Sequence, residues 1–153
     1  MKESPQVSPL EAHIGFWLRL VSSHVSQSFA RRLEIERVTV AEWVVLRVLL
    51  NLGETAPNVL AESMGMTRGA ISKVIDKLVG KDLVIRTSDA DDRRYQSLRL
   101  TQAGRVLTPR LAQIADENDA EYFGHLDQAT RENLIQLLQE VACQQRLKST
   151  PVD

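Results

Sequence analysis

From Leu10 to Leu33 the apolar positions Leu10, Ile14, Leu18, Val21, Val25, Phe29 and Leu33 step by three or four residues, the spacing of one face of an α-helix. After a short link, Thr39-Val40-Ala41-Glu42 has the form of a capping box, in which the Thr39 hydroxyl accepts from the Glu42 amide and the Glu42 side chain reaches back. Val38 and Trp43 stand where a hydrophobic staple would close over that start. The pattern predicts a second helix from there to about Leu52, with Gly53 as its C-cap. A third helix opens near Thr55-Ala56-Pro57, carries Leu60, Ala61 and Met64, and stops at Gly65. Thr67 then caps a fourth, with Ile71, Val74, Ile75 and Leu78 on one side. Two short helices joined by a tight glycine-containing turn are the signature of a helix-turn-helix.

After Leu83 the period changes. Residues 84–88 are short and β-branched, and 95–100 alternate, with Gln96, Leu98 and Leu100 on one side and Tyr95, Ser97 and Arg99 on the other. The polar stretch Asp89-Ala90-Asp91-Asp92-Arg93-Arg94 lies between them, so a two-stranded hairpin with a charged tip is predicted. Thr101 caps a fifth helix reaching about Phe123, which Pro109 should kink or restart. Asp127 caps a last one, striped by Leu134, Leu137, Leu138 and Val141. The fold class is mainly α with a small β-hairpin. A winged helix-turn-helix (39–101) lies between long N- and C-terminal dimerisation helices (10–38 and 102–147), with tails at 1–9 and 148–153.

Composition narrows the function classes. The chain has 153 residues, 43% hydrophobic and 25% charged, which excludes a wholly disordered chain. No apolar run approaches the roughly 18 residues of a membrane span, and the polar N-terminus is no secretory signal. One cysteine, Cys143, suits a reducing cytoplasm and reads as a structural thiol. The net charge of −1 argues against nucleic acid only as an average. Residues 67–99 carry 8 basic and 5 acidic groups, so the basic surplus falls on the predicted helix-turn-helix and hairpin.

The segment LAESMGMTRGAISKVIDKLVGKDLV followed by DADDRRYQSLRLTQAG resembles the MarR family of bacterial transcriptional regulators, over about Leu10 to Leu147. The chain departs from the family in one place: a glycine usually precedes the apolar residue opening the wing strand, and here Asp82 precedes Leu83. Asp is among the few other residues that tolerate a positive φ.

The fourth helix opposes its apolar side with Arg68, Gly69, Ser72, Lys73, Asp76 and Lys77. The major groove admits one helix and is read by Arg, Lys, Ser and Thr, mostly from its N-terminal half. Thr67, Arg68, Ser72 and Lys73 are so placed, with Lys77 suited to phosphate. The resemblance matches the family's wing pair to Asp92 and Arg94, the Asp orienting an Arg that reaches the minor groove or its phosphates; Arg93 supports it. The terminal helices carry more apolar surface than a small winged domain can cover, and the resemblance implies the same outcome, a homodimer on a pseudo-palindromic operator. It also implies a repressor released by a small aromatic ligand. His13, Trp17, Trp43 and Arg47 are the candidates for that site, an aromatic wall with one cation.

No metal or cofactor site is expected. His13 and His24 are 11 residues apart, about 16 Å along one helix, so they cannot share a metal. His125 and Cys143 have no chelating spacing. The enzyme alternative is the winged-helix dimerisation part of a small-molecule methyltransferase, which needs a glycine-rich cofactor turn that this sequence lacks. A winged-helix module that binds protein rather than DNA is a second alternative, against which the basic segment counts.

Overall fold

Four helix starts fall on four oxygen-bearing side chains. Thr39 Oγ1 accepts from the Glu42 amide at 3.2 Å while Glu42 Oε2 accepts from the Thr39 amide at 2.9 Å, completing the capping box. Thr67, Thr101 and Asp127 accept from the amides of Ala70, Gly104 and Thr130 in the same way. The structure is a computed structural model and describes residues 7–88, 91 and 96–152.

A single 3₁₀ turn, Leu10–Ala12, leads into α1 (Ile14–Ile35), followed by α2 (Val40–Leu52), α3 (Pro57–Met64) and α4 (Arg68–Gly80). Strands β1 (Val84–Ser88) and β2 (Gln96–Leu100) come next, and α5 (Gln102–Phe123) and α6 (Gln128–Gln144) complete the order. The strands pair antiparallel from Val84 opposite Leu100 to Ser88 opposite Gln96. Thr55 adds a third edge, exchanging both backbone bonds with Leu98. Pro109 does not restart α5, which runs unbroken past it. Both Pro109 and Arg105, whose carbonyl loses an amide partner, are exposed to water. Thr108, Leu111 and Asn118 are meanwhile buried on the opposite side and hold the helix down.

One core lies where α2, α3, α4, β2 and α5 meet. Leu46, Leu60, Met64, Leu78, Leu98 and Leu111 have no exposed surface, and Leu33 enters from the end of α1. Two devices fix the entry to the hairpin. Asp82 has φ +58, the left-handed conformation in the place of the family's glycine, and its carbonyl accepts from Thr101 Oγ1 at 2.8 Å. Gly104 lies so close to the Leu83 carbonyl that a Cβ there would stand 2.2 Å from the oxygen.

Below α4 sits a buried charge. Glu42 is 1% exposed, and Lys81 Nζ donates to its two carboxylate oxygens at 2.9 and 2.7 Å and to the Arg37 carbonyl at 2.8 Å. Lys81 is the C-cap residue of α4, so the far end of that helix is tied to the start of α2. No helix among the described residues is long and apolar enough to cross a membrane.

Candidate nucleic-acid interface

The apolar side of α4 is pressed into the core through Ile71, Ile75 and Leu78, at most 1% exposed. Its period then turns Arg68, Ser72, Lys73 and Lys77 outward, and all four are exposed. Thr67 is exposed too, but its hydroxyl oxygen is engaged as the helix cap. The structure therefore brings together five of the residues expected on the reading helix. Asp92, Arg93 and Arg94 lie outside the described residues.

A groove of about 730 Å³ runs between α3, α4 and the hairpin. Its polar lining is Asn58 from α3, Arg68 and Ser72 from α4, Arg86 from β1 and Gln96 from β2. Lys73 and Lys77 stand outside it. The sequence reading missed Asn58, Arg86 and Gln96. Arg86 carried a usable signal, a cation two residues along the strand from a buried Val84, with Asp76 on the polar side of the preceding helix. In the fold Arg86 donates to Asp76 at 2.7 Å, with both side chains partly open to solvent. That pair links the hairpin to α4, and it engages one of the eight cations of residues 67–99; Lys81 is engaged by Glu42. Among the described residues of α4, Arg68, Lys73 and Lys77 face outward and pair with no acid.

The residues expected to form a ligand site separate into two pairs. His13 is the residue before α1, its Nδ1 3.1 Å from the Pro9 carbonyl, a bond that requires the proton on Nδ1. Trp17 is half exposed, donates to the Glu11 carbonyl at 2.9 Å and meets Phe16 edge-on. Trp43 packs edge-on against Phe29, with centroids 6.3 Å apart, and Arg47 donates to Asn51 one turn on. Phe29 is twelve residues from Trp17 along α1, or about 18 Å. Within one chain the four residues do not line one cavity.

The terminal helices leave their stripes open. α6 has no buried residue, and Ile135, Leu137 and Val141 are 55, 51 and 56% exposed. On α1, Ile14, Leu18 and Val21 are likewise exposed. α1 is nevertheless firmly laid on α5. Asn118 Nδ2 donates to the Val25 carbonyl, Tyr122 Oη to the His24 carbonyl, and Arg32 pairs with Glu121 and Arg110 with Glu36.

The MarR family model matches residues 38–95, from the start of α2 into the hairpin. A transcriptional regulatory protein described for the hcr operon of Thauera aromatica is 30% identical over 133 residues, 86% of this chain and 80% of that protein. Among solved structures, CouR from Rhodococcus jostii RHA1 bound to p-coumaroyl-CoA is 26% identical, with a TM-score of 0.76 over 89% of this chain and 96% of that one. A mutant MarR from E. coli complexed with operator DNA is 22% identical, with a TM-score of 0.73 over 84% and 92%; this likeness is one of fold.

Proposed function

The chain belongs to the MarR family of transcriptional regulators, and from that premise we propose that it is a homodimeric repressor. In this reading α4 enters the major groove of a pseudo-palindromic operator. Arg68 and Ser72 read bases, Lys73 and Lys77 hold the backbone, and Arg94 with Asp92 and Arg93 meets the minor groove. The observation that carries the reading is the outward row of Arg68, Ser72, Lys73 and Lys77 on a helix whose other face is locked in the core. Asn58, Arg86 and Gln96 join the interface because they line the groove between α4 and the hairpin.

The exposed stripes of α1 and α6 support assembly of two copies, since contiguous apolar surface of this extent is uncommon on a monomer. A small aromatic ligand is the proposed release signal. The half-exposed Trp17 with His13, and Trp43 with Arg47 on α2, are its candidate contacts. The distance of about 18 Å along α1 between Trp17 and Phe29, on which Trp43 packs, means that the site takes either one pair or surfaces from both copies. Selection of bound duplexes from a random library, followed by titration at several salt concentrations, tests the DNA reading. A selected palindrome bound with a steep salt dependence is the expected result. Arg94→Ala should weaken that binding. Failure to enrich any sequence, with salt-independent retention of a protein partner, would favour the protein-binding alternative.

A further inference from the structure

Beyond Gln144 the chain does not trail away. The turn that ends α6 is a complete Schellman motif built without glycine. Arg146 takes φ +55, its amide bonds the Cys143 carbonyl at 3.0 Å, and the Leu147 amide bonds the Ala142 carbonyl at 2.9 Å. The reversal sends residues 147–152 back to the winged domain, to the turn between α3 and α4. There the Thr150 amide donates to the Met64 carbonyl at 3.0 Å, and Ser149 Oγ to the Gly65 carbonyl at 3.4 Å. Val152 packs against the core.

The fit at Gly65 is close on both counts that matter. Gly65 has φ +62, which the helix-turn-helix bend requires, and a Cβ built on it would stand 2.6 Å from the Lys148 carbonyl. The returning segment therefore lies directly over the left-handed residue of the turn between α3 and α4. The Met64 carbonyl it caps belongs to the last turn of α3, where backbone acceptors have no partner within the helix.

We propose that residues 147–152 form a strap that positions the reading helix: they fasten α6 to the α3–α4 turn and hold that turn in the geometry that presents Arg68 and Ser72. Thr150 and Val152 are positioning residues, acting through the turn without touching DNA. The strap rests on the DNA-binding reading for its effect on affinity, and on nothing beyond the fold for its effect on the turn. It also gives α6, which buries none of its own residues in this chain, a second anchor at its far end. A movement of α6 is thereby passed to the turn.

Two variants test it: the chain lacking residues 148–153, and full-length Thr150→Pro, which has no amide to donate to Met64. Thr150→Val keeps that amide and serves as the control. In the free protein, amide exchange at residues 64–67 should accelerate in both variants and stay unchanged in the control. Sedimentation should give the wild-type number of chains per particle throughout. On the duplex selected by the wild-type chain, both variants should bind about two- to tenfold more weakly, the range set by losing roughly one hydrogen bond. Unchanged exchange at 64–67 overturns the strap, as does faster exchange with equal or tighter DNA binding. A fall in the number of chains per particle on truncation also overturns it, by making the segment part of assembly. If the wild-type chain itself selects no duplex, the DNA-binding reading fails, while the exchange comparison still decides whether the strap holds the turn.

Discussion

Replacing Lys81 by Met would strip the buried Glu42 carboxylate of its counter-charge and leave a stem of similar length in place. The Glu42 side chain is 2% exposed, and its partners are the Thr39 amide and Lys81 Nζ. Breaking a fully buried pair costs about 3–5 kcal/mol, whereas exposed pairs contribute up to about 1 kcal/mol. Lys81 lies between these limits, because its side chain is 38% exposed and water can reach the vacated position. The expected loss is about 2 kcal/mol, which also allows for the lost donor to the Arg37 carbonyl. Urea unfolding followed by far-ultraviolet circular dichroism reads this as a midpoint lowered by about 1 M, given a slope of about 2 kcal/mol/M. The comparison must be made at one protein concentration, since assembly would itself shift the midpoint. The double variant Glu42→Gln, Lys81→Met is the sharper arm. It holds no unpaired charge, so it should be more stable than Lys81→Met alone. A double variant that loses the sum of both single effects, or a Lys81→Met loss below about 0.5 kcal/mol, would refute the account of Glu42 as a charge dependent on Lys81.

Arg68→Ala should relax base preference by about 1–3 kcal/mol at one operator position, read by titration on the selected duplex and its single-base variants; equal loss on random DNA would make Arg68 a phosphate contact. Leu138→Asp should shift sedimentation from dimer to monomer, because an unpaired charge placed in a closed apolar contact costs several kcal/mol. Gly104→Ala should destabilise the chain by more than an ordinary helix substitution, since its Cβ would meet the Leu83 backbone at 2.2 Å and neither strand nor helix can yield; thermal unfolding measures it. A bond from the Thr130 amide, with the Thr130 hydroxyl adding to it, holds the Asp127 carboxyl below its ordinary 3.8. A carboxyl lowered in the folded state contributes stability above its unfolded value and loses it as pH falls through the folded one. The first turn of α6 should therefore loosen only in acid below that range, and Asp127→Asn should remove this pH dependence in amide exchange.

Helix starts were legible because each depends on a local, directional contact: a hydroxyl or carboxylate three residues before the amide it caps. Thr39, Thr67, Thr101 and Asp127 all act as the sequence implies. The outward row on α4 was legible for a similar reason, since periodicity alone assigns faces once Ile71, Ile75 and Leu78 go inward. The groove was not. Asn58, Arg86 and Gln96 come from three elements whose approach is set by the long-range pairing of β1, β2 and Thr55, which no local spacing encodes. The pairing of Lys81 with Glu42 was not legible either, since the two stand 39 positions apart and only the fold brings them together. Residues 148–152 are polar enough to look like a loose tail. Their contacts with Met64 and Gly65 are mainly to backbone, and so leave no trace in side-chain pattern. Of the two outcomes expected at Pro109, a kink or a restart, the restart does not occur, because its local cost of about 3 kcal/mol is offset by the packing of Leu111 and Asn118 below it.

The two tryptophans give the molecule a pair of internal lamps. Trp17 stands half in water on the helix that carries the open apolar stripe, and Trp43 is partly enclosed beside Phe29 in the winged domain. Indole emission moves to shorter wavelength as water leaves the ring, so the two should differ in colour within a single chain. Their places in the fold make them answer different events: association along α1 would darken or blue-shift Trp17, and a disturbance at the start of α2 would register on Trp43. With Trp17→Phe and Trp43→Phe in hand, unlabelled protein reports assembly and domain movement through separate optical channels.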